Sequence, residues 1–215
     1  LQDKKGVVVP TGISRSDIFY DEDAKKAAKE KLFSVVPQAK GKKVILYAPT
    51  FRGRVAKAKT PNQLDIAAFG DALGKDYILL FKLHPFVKKR TAIPEGYEDF
   101  AFDLTDDMNI EELLFVADIC ISDYSSLVFE YSLFEKPMIF FAFDLDNYYD
   151  WRGFYYDYKD FVPGPIHTTT EEMIEYIQHV DERFDKKKVQ EFRQKFMSAC
   201  DGHATERIMK MMVGE

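Results

Sequence analysis

The sequence predicts an α/β fold with a parallel, doubly wound sheet. Three observations carry this. Apolar runs such as "KVILYAP" (43–49) and "PMIFFAF" (137–143) lack polar alternation, as strands covered on both faces do. Stretches of helical spacing separate those runs, and polar or glycine-containing turns follow them. The expectation is one Rossmann-like domain over 1–215.

In chain order, "GVVVP" (6–10) reads as a first strand, followed by the polar turn "TGISRSD". Residues 22–36 read as a helix, with Ala24, Ala27, Ala28, Leu32 and Val35 on one face. "KVILYAP" is the second strand. Asn62 is the expected cap of a helix through Leu64, Ile66, Ala67, Phe69 and Leu73, which Gly74 ends. Strands follow at "YILLFKLHP" (77–85) and, more weakly, at "YEDFAFDLT" (97–105). A short helix (108–117), a strand (117–122), a helix (125–135) and the strand 137–143 come next. Residues 144–168 read as an aromatic-rich loop, and two or three helices occupy 170–212.

With 46% hydrophobic and 31% charged residues, 215 residues suffice for a sizeable core. A net charge of −6 argues against general nucleic-acid binding. The two cysteines are far apart and imply no disulfide framework, which favours a cytoplasmic location. No apolar run approaches the roughly 20 residues of a membrane span, and no signal peptide is visible. A start at Leu1, running at once into a strand-like segment, suggests part of a longer protein.

Open parallel sheets bind ligands beyond the carboxyl ends of their strands. Residues expected there are Gly12 to Asp17 with Arg15, then Thr50, Arg52 and Arg54, then His84 with Lys88, Lys89 and Arg90. Further on come Asp123, Ser125 and Ser126, then Asp144, Asp146 and Arg152. Bases and hydroxyls converging on one edge of an acidic chain point to a phosphorylated ligand. Ser125 or Ser126 either simply caps the helix that follows or, with free N–H groups, seats an anion. His84 can donate to a phosphate oxygen as imidazolium. Glycine-rich phosphate loops, a nucleophile elbow and a zinc-protease motif are absent, and four scattered His with two Cys make a zinc site improbable.

The segments "VILYAPTFRG", "KLHP", "VADICISDYSSLVFEYSLFEKPMIFFAFD", "RGFYYDY", "VPGPI" and "DGHATERI" together resemble the CDP-glycerol glycerophosphotransferase family. The resemblance runs from about Gly12 to Ile208 and implies the donor-binding, C-terminal half of a GT-B pair of Rossmann-like domains. It implies transfer of glycerol phosphate from CDP-glycerol to a polymer or lipid-linked primer, with release of CMP and no obligatory metal or other cofactor. Ribitol or sugar donors, or a non-catalytic nucleotide-binding module, stay open as alternatives. The implied catalytic residue is His84; the implied donor contacts are Arg15, Thr50, Arg52, Asp123, Ser125, Ser126, Glu130 and Arg152. Glu130, seven residues before Pro137, corresponds to the acid that takes the ribose hydroxyls in related transferases. Ser14 stands where the family commonly has Pro. The family's other essential His belongs to an N-terminal partner domain, so this chain alone is expected to transfer little. The family works on the inner face of the bacterial membrane, which implies peripheral contact there.

Overall fold

The computed structural model describes residues 8–152 and 156–214; the side chains of 55 and 149–152 also lie outside the description. The sheet contains β1 (Lys43–Tyr47), β2 (Tyr77–Phe81), β3 (Ala101–Asp103), β4 (Ile119–Ser122), β5 (Met138–Phe141) and β6 (Ile166–His167). All neighbours are parallel, in the order β3-β2-β1-β4-β5-β6. At mid-sheet, Leu46 lies beside Leu80 on one side and Cys120 on the other.

The α-helices among the described residues are α1 (Glu22–Val35), α2 (Ile66–Leu73), α3 (Ile110–Val116), α4 (Leu127–Ser132) and α5 (Leu145–Arg152). Then come α6 (Tyr158–Phe161), α7 (Thr170–Gln178), α8 (Val180–Arg183), α9 (Lys186–Phe196) and α10 (Ala204–Val213). The period of two along each strand divides the core. Val44, Leu46, Ile78, Leu80, Cys120 and Phe140 face the layer that contains Leu32, Leu113 and Phe192. Ile45, Tyr47, Leu79, Phe81, Ile121 and Phe141 face the layer of Phe69, Met173 and Ile177. Helices therefore cover both faces, which explains why the strands are apolar throughout.

Several expected elements move. Val8 to Pro10 form no strand, and Val8 and Val9 are exposed; the rest of "GVVVP" lies outside the described residues. β-branched residues supply strand propensity, but Val8 to Pro10 pair with no strand among the described residues. The cap of α2 is Asp65, which accepts from Ala68 N–H at 3.0 Å, rather than Asn62. Gly74 does end that helix, with its N–H donated to Gly70 O. On α1, Ala28 and Leu32 are buried while Ala27 and Val35 are exposed; Val36, just past the helix, is buried instead. The expected loop 144–168 holds α5, α6 and the two-residue β6, and the C-terminal region has four helices. No helix of the described residues is long and apolar enough to cross a membrane.

The segments around Gly12 and Asp201 meet. Asp17, in the 3-10 helix Ser14–Tyr20, accepts from the N–H groups of Ala204 (3.0 Å) and Thr205 (2.7 Å), capping α10. Arg207 of α10 donates back to Thr11 O and pairs with Asp201. Gly12 has φ +83°, and a Cβ there would lie 2.1 Å from Ala199 O. Positive φ and backbone contact both demand glycine. Gly12→Ala is expected to cost at least about 2 kcal/mol, from αL strain plus overpacking. Urea unfolding measures it, and an unchanged midpoint contradicts the assignment.

Candidate functional site

The strand order reverses between β1 and β4, and the crevice beyond their carboxyl ends is where an open α/β sheet takes a ligand. The loops leaving β1, β4 and β5 meet there on one guanidinium. Arg52 donates through Nε and Nη2 to Asp144 (2.6 and 3.0 Å), a bidentate pair. Its Nη1 reaches Asp123 Oδ2 at 2.9 Å and both Thr50 O and Thr50 Oγ1 at 2.8 Å. The rings of Tyr124, Phe143 and Tyr148 lie 5.2 to 5.7 Å from the guanidinium carbon.

Asp123 is 3% exposed and accepts from Thr50 N–H (2.8 Å), Thr50 Oγ1–H (3.0 Å) and Tyr124 N–H (2.7 Å) as well as Arg52. Burial pushes its carboxyl up, against the pull of Arg52 and the Thr50 amide. Burial also acts on Asp144, but Arg52 and the Tyr124 hydroxyl outweigh it and hold that carboxyl below its ordinary value. Burial would lower Arg52; its bonds to Asp144 and the charge of Asp123 raise it instead. Every nitrogen of Arg52 is thus engaged within the protein. Asp123 and Arg52, expected as ligand contacts, meet as the pair that holds the loops.

Beside this cluster, His84 follows β2. Its ring packs on Phe51 (4.8 Å between centroids) and Phe86 (4.5 Å). The Phe86 N–H donates to Nδ1 at 3.2 Å, so the neutral ring carries its proton on Nε2. Burial lowers the His84 pKa. As a neutral ring, His84 therefore offers Nε2–H as its donor, with Nδ1 already accepting. Lys82 of the same segment is structural: its ammonium donates to Thr105 O and Met108 O.

Ser125 Oγ accepts from Leu127 N–H at 3.3 Å, the cap-like bond at the start of α4. Ser126 makes no side-chain cap bond and its residue is exposed. Glu130, in the first turn of α4, is half-buried with one oxygen 3.4 Å from Arg15 Nη1. Arg15 Nε also donates to Glu111 Oε1 at 2.7 Å. Burial pushes the Glu130 carboxyl up; Arg15 opposes this and Glu111 adds to it. Arg152 ends α5, and its side chain lies outside the described residues.

Asp144 was placed at the strand ends by the sequence, as a carboxylate just past β5, but given no role; residues that sequence reasoning did not single out are Tyr124, Tyr158, Glu111 and the Phe51–Phe86 pair. Tyr158, whose hydroxyl donates to Asp123 O at 2.8 Å, carried no local signal because its contact is 35 residues distant.

The six parallel strands with helices on both faces define a Rossmann-like α/β unit. Residues 2–214 match the family model described as CDP-Glycerol:Poly(glycerophosphate) glycerophosphotransferase, and the chain belongs to that family. It is 45% identical over 208 residues to the teichoic acid poly(ribitol-phosphate) polymerase of Bacillus spizizenii, covering 96% of this chain and 33% of that protein. It is 31% identical over 218 residues to the teichoic acid poly(glycerol phosphate) polymerase of the same organism, covering 98% of this chain and 54% of that protein. A solved structure of a variant of the wall teichoic acid polymerase TagF superposes with a TM-score of 0.81 at 27% identity, covering all of this chain and 53% of that one. The chain thus spans a third to about half of the relatives' length.

Asp123→Ala leaves Arg52 short of one acceptor and the Thr50 and Tyr124 N–H groups unpaired. A loss of about 3–5 kcal/mol is expected in denaturant unfolding. Asp123→Asn, which keeps one acceptor oxygen, is expected to lose less. Equal, small effects contradict the buried-pair account.

Proposed function

We propose that this chain is the donor-binding part of a transferase that moves an alditol phosphate from its CDP ester to a hydroxyl of a teichoic-acid-like polymer or lipid-linked primer. The observation that carries the reading is His84: a half-buried imidazole at a sheet edge, with Nδ1 accepting from the Phe86 N–H and Nε2 left for a ligand.

In this reading the acceptor oxygen attacks the donor's β-phosphorus in line. The new P–O bond forms as the bond to CMP breaks, and the acceptor proton passes to a base. Negative charge grows on the bridging and α-phosphate oxygens. The Nε2–H of His84 and the hydroxyls of Ser125 and Ser126 meet it, as preorganised donors do. Thr50 sets the loop beside them, and Arg152 is a further donor contact. Glu130 accepts from the ribose hydroxyls: a raised carboxyl with a single long ion pair has lone pairs to spare. Arg15 orients it. The base, in this reading, is a His of an N-terminal partner domain, and the complete protein works in the cytoplasm at the inner membrane face. No bound metal is required.

Relatives named for ribitol phosphate and for glycerol phosphate both support a CDP-alditol donor. The 45% identity to the ribitol polymerase against 31% to the glycerol polymerase makes CDP-ribitol the first donor to test. In calorimetric titration the chain is expected to bind CDP-ribitol and CDP-glycerol, and UDP-sugars at least about tenfold more weakly. Preference for a UDP-sugar overturns the reading. In the complete protein, His84→Ala is expected to lower turnover at least about a hundredfold, the scale of losing one aimed donor. Near-normal turnover removes His84 from the mechanism.

A further inference from the structure

The acidic residues of this chain avoid two loops. Segments 49–64 and 82–94 contain no Asp or Glu, although the chain carries 36 acids against 30 bases. They hold Arg52, Arg54, Lys57 and Lys59, and Lys82, Lys88, Lys89 and Arg90. Arg52 and Lys82 are bound internally, and Arg90 pairs with Asp106. Arg54, Lys57, Lys59, Lys88 and Lys89 are exposed, and no carboxylate among the described residues pairs with them.

The first loop is a formed hairpin. Arg52 and Lys59 exchange backbone bonds (2.8 and 3.0 Å), and Lys57 N–H donates to Arg54 O at 2.8 Å. Gly53 turns the chain at φ +84°, where a Cβ would press within 3.1 Å of Lys57 O. Arg52, Arg54, Lys57 and Lys59 line a depression of about 650 Å³. The two loops are stapled at the candidate site itself, since Phe51 packs on both His84 and Phe86. The free cations therefore belong to two loops that meet beside His84.

We infer that these loops form a track for the phosphodiester chain of the acceptor polymer, beyond the unit that reacts; this rests on the donor-site reading above. A row of point charges on a preformed hairpin fits a repeating polyanion and needs no base-stacking platform. Phe86 is the one large hydrophobic residue in the described parts of these loops that is exposed, and it is packed in the aromatic staple. Among the described residues of these loops no apolar face is left exposed for a bilayer, which favours a polymer over a membrane surface.

The test is fluorescence anisotropy with a labelled poly(ribitol phosphate) oligomer long enough to span both loops, beside CDP-ribitol and phosphatidylglycerol vesicles. Arg54→Ala/Lys57→Ala/Lys59→Ala is expected to bind the oligomer at least about tenfold more weakly, with a shallower salt dependence. CDP-ribitol affinity and the unfolding midpoint stay unchanged. Lys57→Glu and Lys88→Glu, made singly, each weaken oligomer binding and guard against a misfolded triple variant. Oligomer affinity that is absent in the parent or unchanged in the variants overturns the proposal, as does a loss confined to vesicles. If CDP-ribitol fails to bind the parent chain, the donor reading falls, while the oligomer titration still decides on the track.

Discussion

One guanidinium fixes the edge of this sheet. Arg52 lies between Asp123 and Asp144 under three aromatic rings, and so ties together the loops leaving β1, β4 and β5. A buried carboxylate such as Asp123 persists only when paired and hydrogen-bonded. The loops therefore cannot separate without exposing an uncompensated charge. The constraint passes along the chain: Phe51, next to Arg52, carries the ring of His84, and Tyr124, next to Asp123, donates to Asp144.

That constraint shapes the electrostatics a ligand would meet. One cation stands against two carboxylates, so the cluster itself offers no excess positive charge to a diphosphate. Attraction must come from neutral donors at the centre and from cations at the rim. His84, which offers Nε2–H as a neutral ring, is a donor of the first kind; the acid-free loops supply the second. Glu130 adds a half-buried acceptor on the α4 side, held by Arg15. An acidic chain can hold an anion in this way because its acids are placed elsewhere or consumed internally.

The central strands and the ligand edge were legible in the sequence, because burial on both faces writes unbroken Val, Ile, Leu and Phe runs. Thr50, Arg52, His84, Asp123 and Ser125 were found as strand-end residues, and family membership agrees with the motifs that carry them. Roles were less legible than places. Nothing local distinguishes a ligand-binding Arg52 from one locked between Asp123 and Asp144, since its partners are 71 and 92 residues away. Likewise the His84 tautomer depends on one backbone N–H from Phe86. Val8 to Pro10 misled because propensity alone makes no strand, and β6 escaped because two residues carry no period.

The most direct test of the account is the state of the His84 imidazole, read by nitrogen NMR of the 15N-histidine-labelled chain with and without CDP. The account requires the Nε2–H tautomer in the free protein, titrating below the ordinary imidazole value of 6.5. Between its lowered pKa and 6.5 the folded state binds fewer protons than the unfolded one. Stability at this site therefore rises with pH across that interval and is lost as pH falls through it. CDP should shift the Nε2–H resonance as a hydrogen bond to phosphate forms and should move the titration upward. An Nδ1–H tautomer, or a ring that ignores saturating CDP, would contradict the assignment of His84 to the donor site.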